Sequence, residues 1–281
     1  MGKVIFARTR HVYDSYADFW SLVRLSEFPT VYVDEIDFQS NNLYITAPMN
    51  GDYRAHLANH YHDRRCKLAQ WLLERPTPEH GESLPMSITH YWNANKELEA
   101  MRYVDFTIVS DPLLSKLTGF LYVPMGSHIG LGAPGRRKEY DFIGLMAPYH
   151  RRSWLFDGDK VKPVLNGMRL APNANPITET ALRHQLLQQS RFGLNVHNDE
   201  HPFCEPLRFA LFAAYSLPVV TESIPDGTIY HDAVCQADYH NLQNAMGVAY
   251  KRYALWRQWG EQMHHVMTGE KSFRRCLERR L

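Results

Sequence analysis

Between residues 193 and 222 the chain reads GLNVHNDEHPFCEPLRFALFAAYSLPVVTE. Three carboxylates (Asp199, Glu200, Glu205), two histidines (His197, His201) and Asn198 crowd a loop. The loop lies between an apolar strand-like run, 192–197, and an almost wholly apolar helical run, 205–216. A strand–loop–helix order puts such a loop at the carboxyl end of a sheet, where α/β proteins bind ligands. The helix start adds N–H groups and the positive end of the helix dipole, which suit phosphate. Glu205 stands at that start and can accept from hydroxyl groups. Arg208, one turn in and on the same side, can meet negative charge. The same spacing also describes an ordinary i,i+3 ion pair on a capping Glu. Pro206 occupies a favoured first helical position.

Further groups could take part. ARTRHVYDS (7–15) follows the first apolar run, and His11 and Asp14 there can each accept a proton near neutral pH if suitably placed. A basic loop with Asp14 as a helix cap accounts for the same residues. Asp52, in APMNGDYRAH (47–56), is a second proton acceptor of this kind. His128 stands beside Gly126 and Ser127 in a stretch, 126–138, with four glycines and three basic residues, which reads as a hinge. The fifteen histidines show no metal-ligand spacing. Asp157-Gly158-Asp159 reads as a Gly-centred turn with solvated carboxylates, so no obligatory metal is expected.

The elements that must position these groups alternate. Strand-like runs fall at 3–9, 30–38, 41–49, 104–111, 120–126, 140–146, 192–197 and 217–222. Helical patterns fall at 14–28, 54–76, 96–103, 113–119, 178–190, 205–216 and 241–267. This βαβ rhythm predicts an α/β chain of two halves joined by the glycine-rich stretch 126–138. Their expected bounds are 1–126 and 139–245, with 246–281 a C-terminal helical segment packed across both.

HPFCEPLRFALFAAYSLPVVTE resembles the donor-binding segment of GT-B glycosyltransferases of the group-1 and spore-maturation type. YVPMGSH and YDFIGLMAPYHRR resemble two further landmarks, the end of the N-terminal domain and the first strand of the C-terminal one. The resemblance implies a GT-B-like fold of two Rossmann-like domains facing a central cleft, and an enzyme that moves a sugar from a nucleotide-sugar donor, UDP-sugar favoured, to an acceptor hydroxyl. On it, Glu205 contacts sugar hydroxyls, the backbone around Pro206 and Leu207 meets phosphate, and Arg208 offers charge. Gly126 and Ser127, with His128 beside them, approach the diphosphate, and Arg151 or Arg152 pairs with it. His11, Asp14 and Asp52 are the catalytic-base candidates. Two positions depart from the pattern. Leu211 stands where the family carries a second Glu for ribose, for which Glu222 is a substitute, and Ser216 stands where it carries Gly. The departures keep a non-catalytic sugar-nucleotide-binding relative as an alternative. A phage-type enzyme that glycosylates hydroxymethylated DNA bases is another, and an epimerase of the same fold a third. Glu205→Ala is expected to abolish transfer and to leave the fold intact.

Bulk composition narrows the class. The 281 residues are 44% hydrophobic and 22% charged, as in globular proteins. A net charge of +1 gives no general attraction to nucleic acid, so DNA as a partner would need a local basic patch. Four scattered cysteines without a CxxC fit reduced thiols in a cytoplasmic protein. No run of about 18 apolar residues occurs, so no membrane span is expected.

Overall fold

The computed structural model describes residues 2–10, 16–47, 52–73, 102–146, 152–153, 167–172, 179–197 and 204–281. The chain forms two compact units. The first takes Met1–Val12, Val23–Val123 and Arg280; the second takes Tyr13–Leu22, Pro124–Arg279 and Leu281.

In the first unit six parallel strands form one sheet: β1 (Val4–Arg8), β2 (Thr30–Tyr32), β3 (Leu43–Thr46), β4 (Lys67–Leu72), β5 (Phe106–Val109) and β6 (Leu121–Tyr122). Their order is β2-β1-β3-β4-β5-β6. Inner parallel strands are covered on both faces and therefore read as continuous apolar runs. Helix α2 (Asp52–His60) follows β3, while α1 (Ala17–Leu25), which follows β1, belongs to the second unit up to Leu22 and to the first from Val23. Helix α3 (Pro112–Thr118) is written plainly in the sequence. Asp111 caps it by accepting the Leu114 N–H at 2.7 Å, Pro112 opens it, and Gly119 closes it at φ 75°.

The helix expected over 54–76 is corrected. It ends at His60, and Lys67–Leu72 is the strand β4, hydrogen-bonded between β3 and β5. KLAQWL is made of good helix formers, but four of its six residues are buried. Two-sided burial overrides propensity there. Asp105 fixes the strand's start by accepting the Leu68 N–H at 2.7 Å while pairing with Arg64 at 2.7 Å.

In the second unit β7 (Tyr140–Ile143), β8 (Ser190–Asn195), β9 (Val219–Glu222) and β10 (Val234–Ala237) form a parallel sheet in the order β10-β9-β8-β7. Strand β10 was not foreseen; its four residues form an edge. The helices are α4 (Thr180–Gln189), α5 (Pro206–Ala214), α6 (Leu242–Lys251), α7 (Tyr253–Thr268) and α8 (Phe273–Glu278). The single helix expected over 241–267 is thus two, broken at Arg252.

Seven of the nine residues of α5 are buried. The helix lies so close to β8 that a Cβ on Gly193 would come within 2.7 Å of the Phe212 ring. The chain leaves α5 through Ser216 at φ 55°, a left-handed conformation that glycine adopts without strain. Among the described residues no helix is long and apolar enough to cross a membrane.

Candidate functional site

Strand β8 ends at Asn195, and α5 begins at Pro206 with Glu205 as its N-terminal cap residue. The Glu205 carboxylate makes no capping bond to its own helix. It turns sideways to two arginines. Oε1 accepts from Arg152 Nη2 at 2.6 Å, and Oε2 lies 2.7 Å from Arg208 Nη1. The second contact is an ion pair without hydrogen-bond geometry, because Arg208 Nη1 donates to Asn195 Oδ1. The i,i+3 pair allowed by the spacing therefore forms, and Arg152, which that spacing does not call for, joins it.

Both guanidinium groups are locked to the scaffold. Arg152 Nε donates to the Val196 carbonyl at 2.6 Å, and Arg208 Nε to the Leu145 carbonyl at 2.8 Å. Their side chains are 7% and 11% exposed, and Glu205 is 18% exposed. Burial, and after it the neighbouring Arg208 charge, pulls the Arg152 guanidinium below its usual range, against the opposing pull of Glu205. Among the described residues neither Arg152 Nη1 nor Arg208 Nη2 donates a hydrogen bond. Each arginine thus keeps one donor group for a further anion.

Next to this cluster lies His197. Its backbone N–H donates to Glu222 Oε2 at 2.6 Å, and its Nε2 lies 2.8 Å from the Ser223 carbonyl. A carbonyl only accepts, so Nε2 carries the proton. Nδ1 faces Glu205 Oε2 at 3.9 Å, too far for a hydrogen bond. Both atoms are buried and lack a hydrogen-bond partner. His197 and Asn195 were not assigned a role from the sequence. The signal was their place at the end of an apolar strand directly before the charged loop.

The other sequence-derived residues lie as follows. Pro206 is the first residue of α5, and its carbonyl accepts from the Tyr230 hydroxyl at 3.2 Å. Leu207 is half-buried behind it. The Arg208 and Phe209 amides turn back to the Glu205 carbonyl, at 3.1 and 3.3 Å. Glu222 is buried at the end of β9 and holds the His197 backbone. Leu211 is buried in α5. Ser127 is fully buried, with its hydroxyl donating to the Ala210 carbonyl at 2.8 Å. A Cβ on Gly126 would meet the Lys271 carbonyl at 1.9 Å. His128 Nδ1 accepts the Gly130 N–H at 3.0 Å in an exposed turn. His11, Asp14, Arg151 and the Asp157–Asp159 pair lie outside the described residues, and for Asp52 only the backbone in α2 is described. Among the described residues no cluster of metal-ligating side chains occurs.

This geometry gives Glu205→Ala a cost in stability. Removing the carboxylate leaves two buried guanidinium groups sharing one space, and breaking a buried pair costs about 3 kcal/mol or more.

A second carboxylate in the same unit holds a similar set of partners. Asp18 is 1% exposed and accepts from Arg183 Nε at 2.8 Å through Oδ2. Its Oδ1 accepts from His184 Nε2 at 2.6 Å. His184 Nδ1 is hydrogen-bonded to the Tyr215 hydroxyl, and burial, with Asp18 adding to it, pushes the Tyr215 phenol well above its usual range. Tyr215 directly follows α5.

No protein family model matches the chain, and no curated protein matches it. Solved structures do. HepE of Anabaena in complex with UDP and glucose superposes with a TM-score of 0.58 at 11% identity, covering 99% of both chains. HepE in complex with UDP-glucose gives 0.56 at 10% identity over the same share of each chain. At this identity the likeness shows the fold. The chain is an α/β protein with parallel sheets, and it shares its fold with HepE over 99% of both chains.

Proposed function

We propose that this chain is a GT-B-like glycosyltransferase that moves a sugar from a nucleotide-sugar donor, UDP-sugar favoured, to an acceptor hydroxyl. The observation that carries the reading is Glu205, at the start of the helix that follows a parallel strand, gripped by the buried Arg152 and the partly buried Arg208. The full-length likeness to HepE, crystallised with UDP and glucose and with UDP-glucose, supports the choice of ligand class.

The chemistry follows from the donors and acceptors present. The open Nη groups of Arg152 and Arg208 take the diphosphate, and their charge stabilises it as the leaving group. Glu205 accepts from sugar hydroxyls and keeps the two guanidinium groups in place when no donor is bound. His11, Asp14 and Asp52 are the proposed bases for the acceptor hydroxyl, and Glu222 the proposed ribose contact. No residue is assigned to a metal.

A thermal-shift series tests this. UDP, GDP, TDP, CDP and ADP, with their common sugar conjugates, are added with and without EDTA. A ligand that binds only the folded chain raises its melting temperature. We expect a rise with UDP and UDP-glucose that EDTA leaves unchanged. No rise with any member would overturn the reading.

A further inference from the structure

Two segments that the resemblance brings to the donor, the stretch around Gly126 and the start of α5, are joined through one side chain. We propose that Tyr230 is a positioning residue that directs the Gly126 N–H at the donor diphosphate and holds that stretch against the first turn of α5. The inference rests on the donor-site reading.

Three observations carry it. The hydroxyl of the buried Tyr230 reaches the carbonyls of Met125 and Pro206, the second at 3.2 Å. Its ring stacks on Phe209 of α5, with centroids 4.9 Å apart. One phenol thus ties the residue before Gly126 to the first residue of α5. Next, Gly126 is buried, and among the described residues its N–H donates no hydrogen bond. A buried backbone N–H without a partner is rare in folded chains. Last, the chain is clamped directly after Gly126. Ser127 is bonded through its N–H to Met267, through its carbonyl to Phe273 and through its hydroxyl to Ala210.

Peptide geometry turns these contacts into direction. The Met125 carbonyl and the Gly126 N–H belong to one planar unit and point opposite ways. Holding the carbonyl therefore fixes where the N–H points. The Pro206 carbonyl and the Leu207 N–H are coupled in the same manner. Tyr230 thus orients one amide on each of the two segments. A phosphate oxygen supplies the acceptor that the Gly126 N–H lacks, and a charged acceptor makes the stronger bond. An amide set in advance spares the ligand the cost of ordering it on binding.

Tyr230→Phe keeps the ring on Phe209 and removes the hydroxyl. Calorimetry of the whole chain should show UDP-glucose binding weakened about tenfold, the worth of one hydrogen bond to a charged group. Ser190→Ala is the control. Its buried hydroxyl also donates to a carbonyl, that of Leu186 at 2.7 Å, at the junction of α4 and β8. It should lose comparable stability and bind UDP-glucose as the wild-type chain does. NMR reads the amide itself. Isotope labels on methionine carbonyls and glycine amides select the signals of Gly2, Gly126 and Gly247. UDP-glucose should move the Gly126 signal in the wild-type chain. Equal affinity in Tyr230→Phe, an equal loss in Ser190→Ala, or an unmoved Gly126 signal would overturn the inference while the donor site stands. If Tyr230→Phe does not fold, the wild-type NMR signal still decides. A wild-type chain that binds no nucleotide sugar overturns both.

Discussion

Asp18 and Glu205 are two versions of one device. Each carboxylate sits in the second unit, is gripped by arginine and has a histidine beside it. At Asp18 every atom is paid. Both carboxylate oxygens accept, and both nitrogens of His184 are bonded. At Glu205 the set stays open among the described residues, with Nδ1 of His197 and Oε2 lacking a hydrogen bond and one group on each arginine donating none. Exposure follows the same division, at 1% for Asp18 and 18% for Glu205. A closed set of charges is architecture. The open set, at the end of a parallel strand and the start of a helix, is where we propose that the ligand binds.

The comparison can be broken most easily at Asp18. Asp18→Ala strands a buried arginine and should cost about 3–5 kcal/mol, read by urea unfolding. A loss under about 1 kcal/mol would show that the cluster is not closed. Glu205→Gln should cost less, about 2 kcal/mol, because its amide oxygen can still accept from Arg152 and its surroundings are more exposed. Yet it should remove the UDP-glucose thermal shift, which Asp18 variants that still fold should retain. If the two variants behave alike, the division between them fails.

Tyr215→Phe sharpens the closed side by leaving His184 Nδ1 unbonded, at about 1–2 kcal/mol. It also has a pH signature. A phenol whose folded-state value is raised contributes stability in full below its unfolded value, near 10. That contribution is lost as pH climbs past it. The wild-type chain should therefore lose stability above about pH 10 more steeply than Tyr215→Phe, as followed by melting temperature against pH. The smallest effect falls one residue on. Ser216→Gly relieves the left-handed backbone at φ 55° and should add about 0.5 kcal/mol without altering ligand binding.

The sequence carried much of this, unevenly. The Asp-Pro start and Gly stop of α3 could be read directly, because caps are local chemistry. So could the i,i+3 relation of Glu205 and Arg208. Strand β4 could not, because KLAQWL becomes a strand through neighbours 20 to 40 residues away rather than through its own preference. The break at Arg252 was hidden for the opposite reason, since helical periodicity runs on through it. Arg152 could be picked out only from a landmark, while the tie between Asp18 and His184 spans 166 positions and has no local sign. Ser216 is the instructive case. Read as a departure from a family pattern, it looked like weakened function; its φ shows a local strain in the turn after α5.

Ser127 carries a consequence for the order in which this chain is made. Its N–H donates to the Met267 carbonyl at 2.9 Å, and its carbonyl accepts from Phe273 at 3.0 Å. On the ribosome Ser127 emerges roughly 140 residues before those partners, a wait on the order of ten seconds at ordinary synthesis rates. Until then the segment that Gly126 and Ser127 occupy has no lining on that side. The nascent second unit must keep an unfinished seam, and a chaperone that guards it would let go only after the last helices are translated.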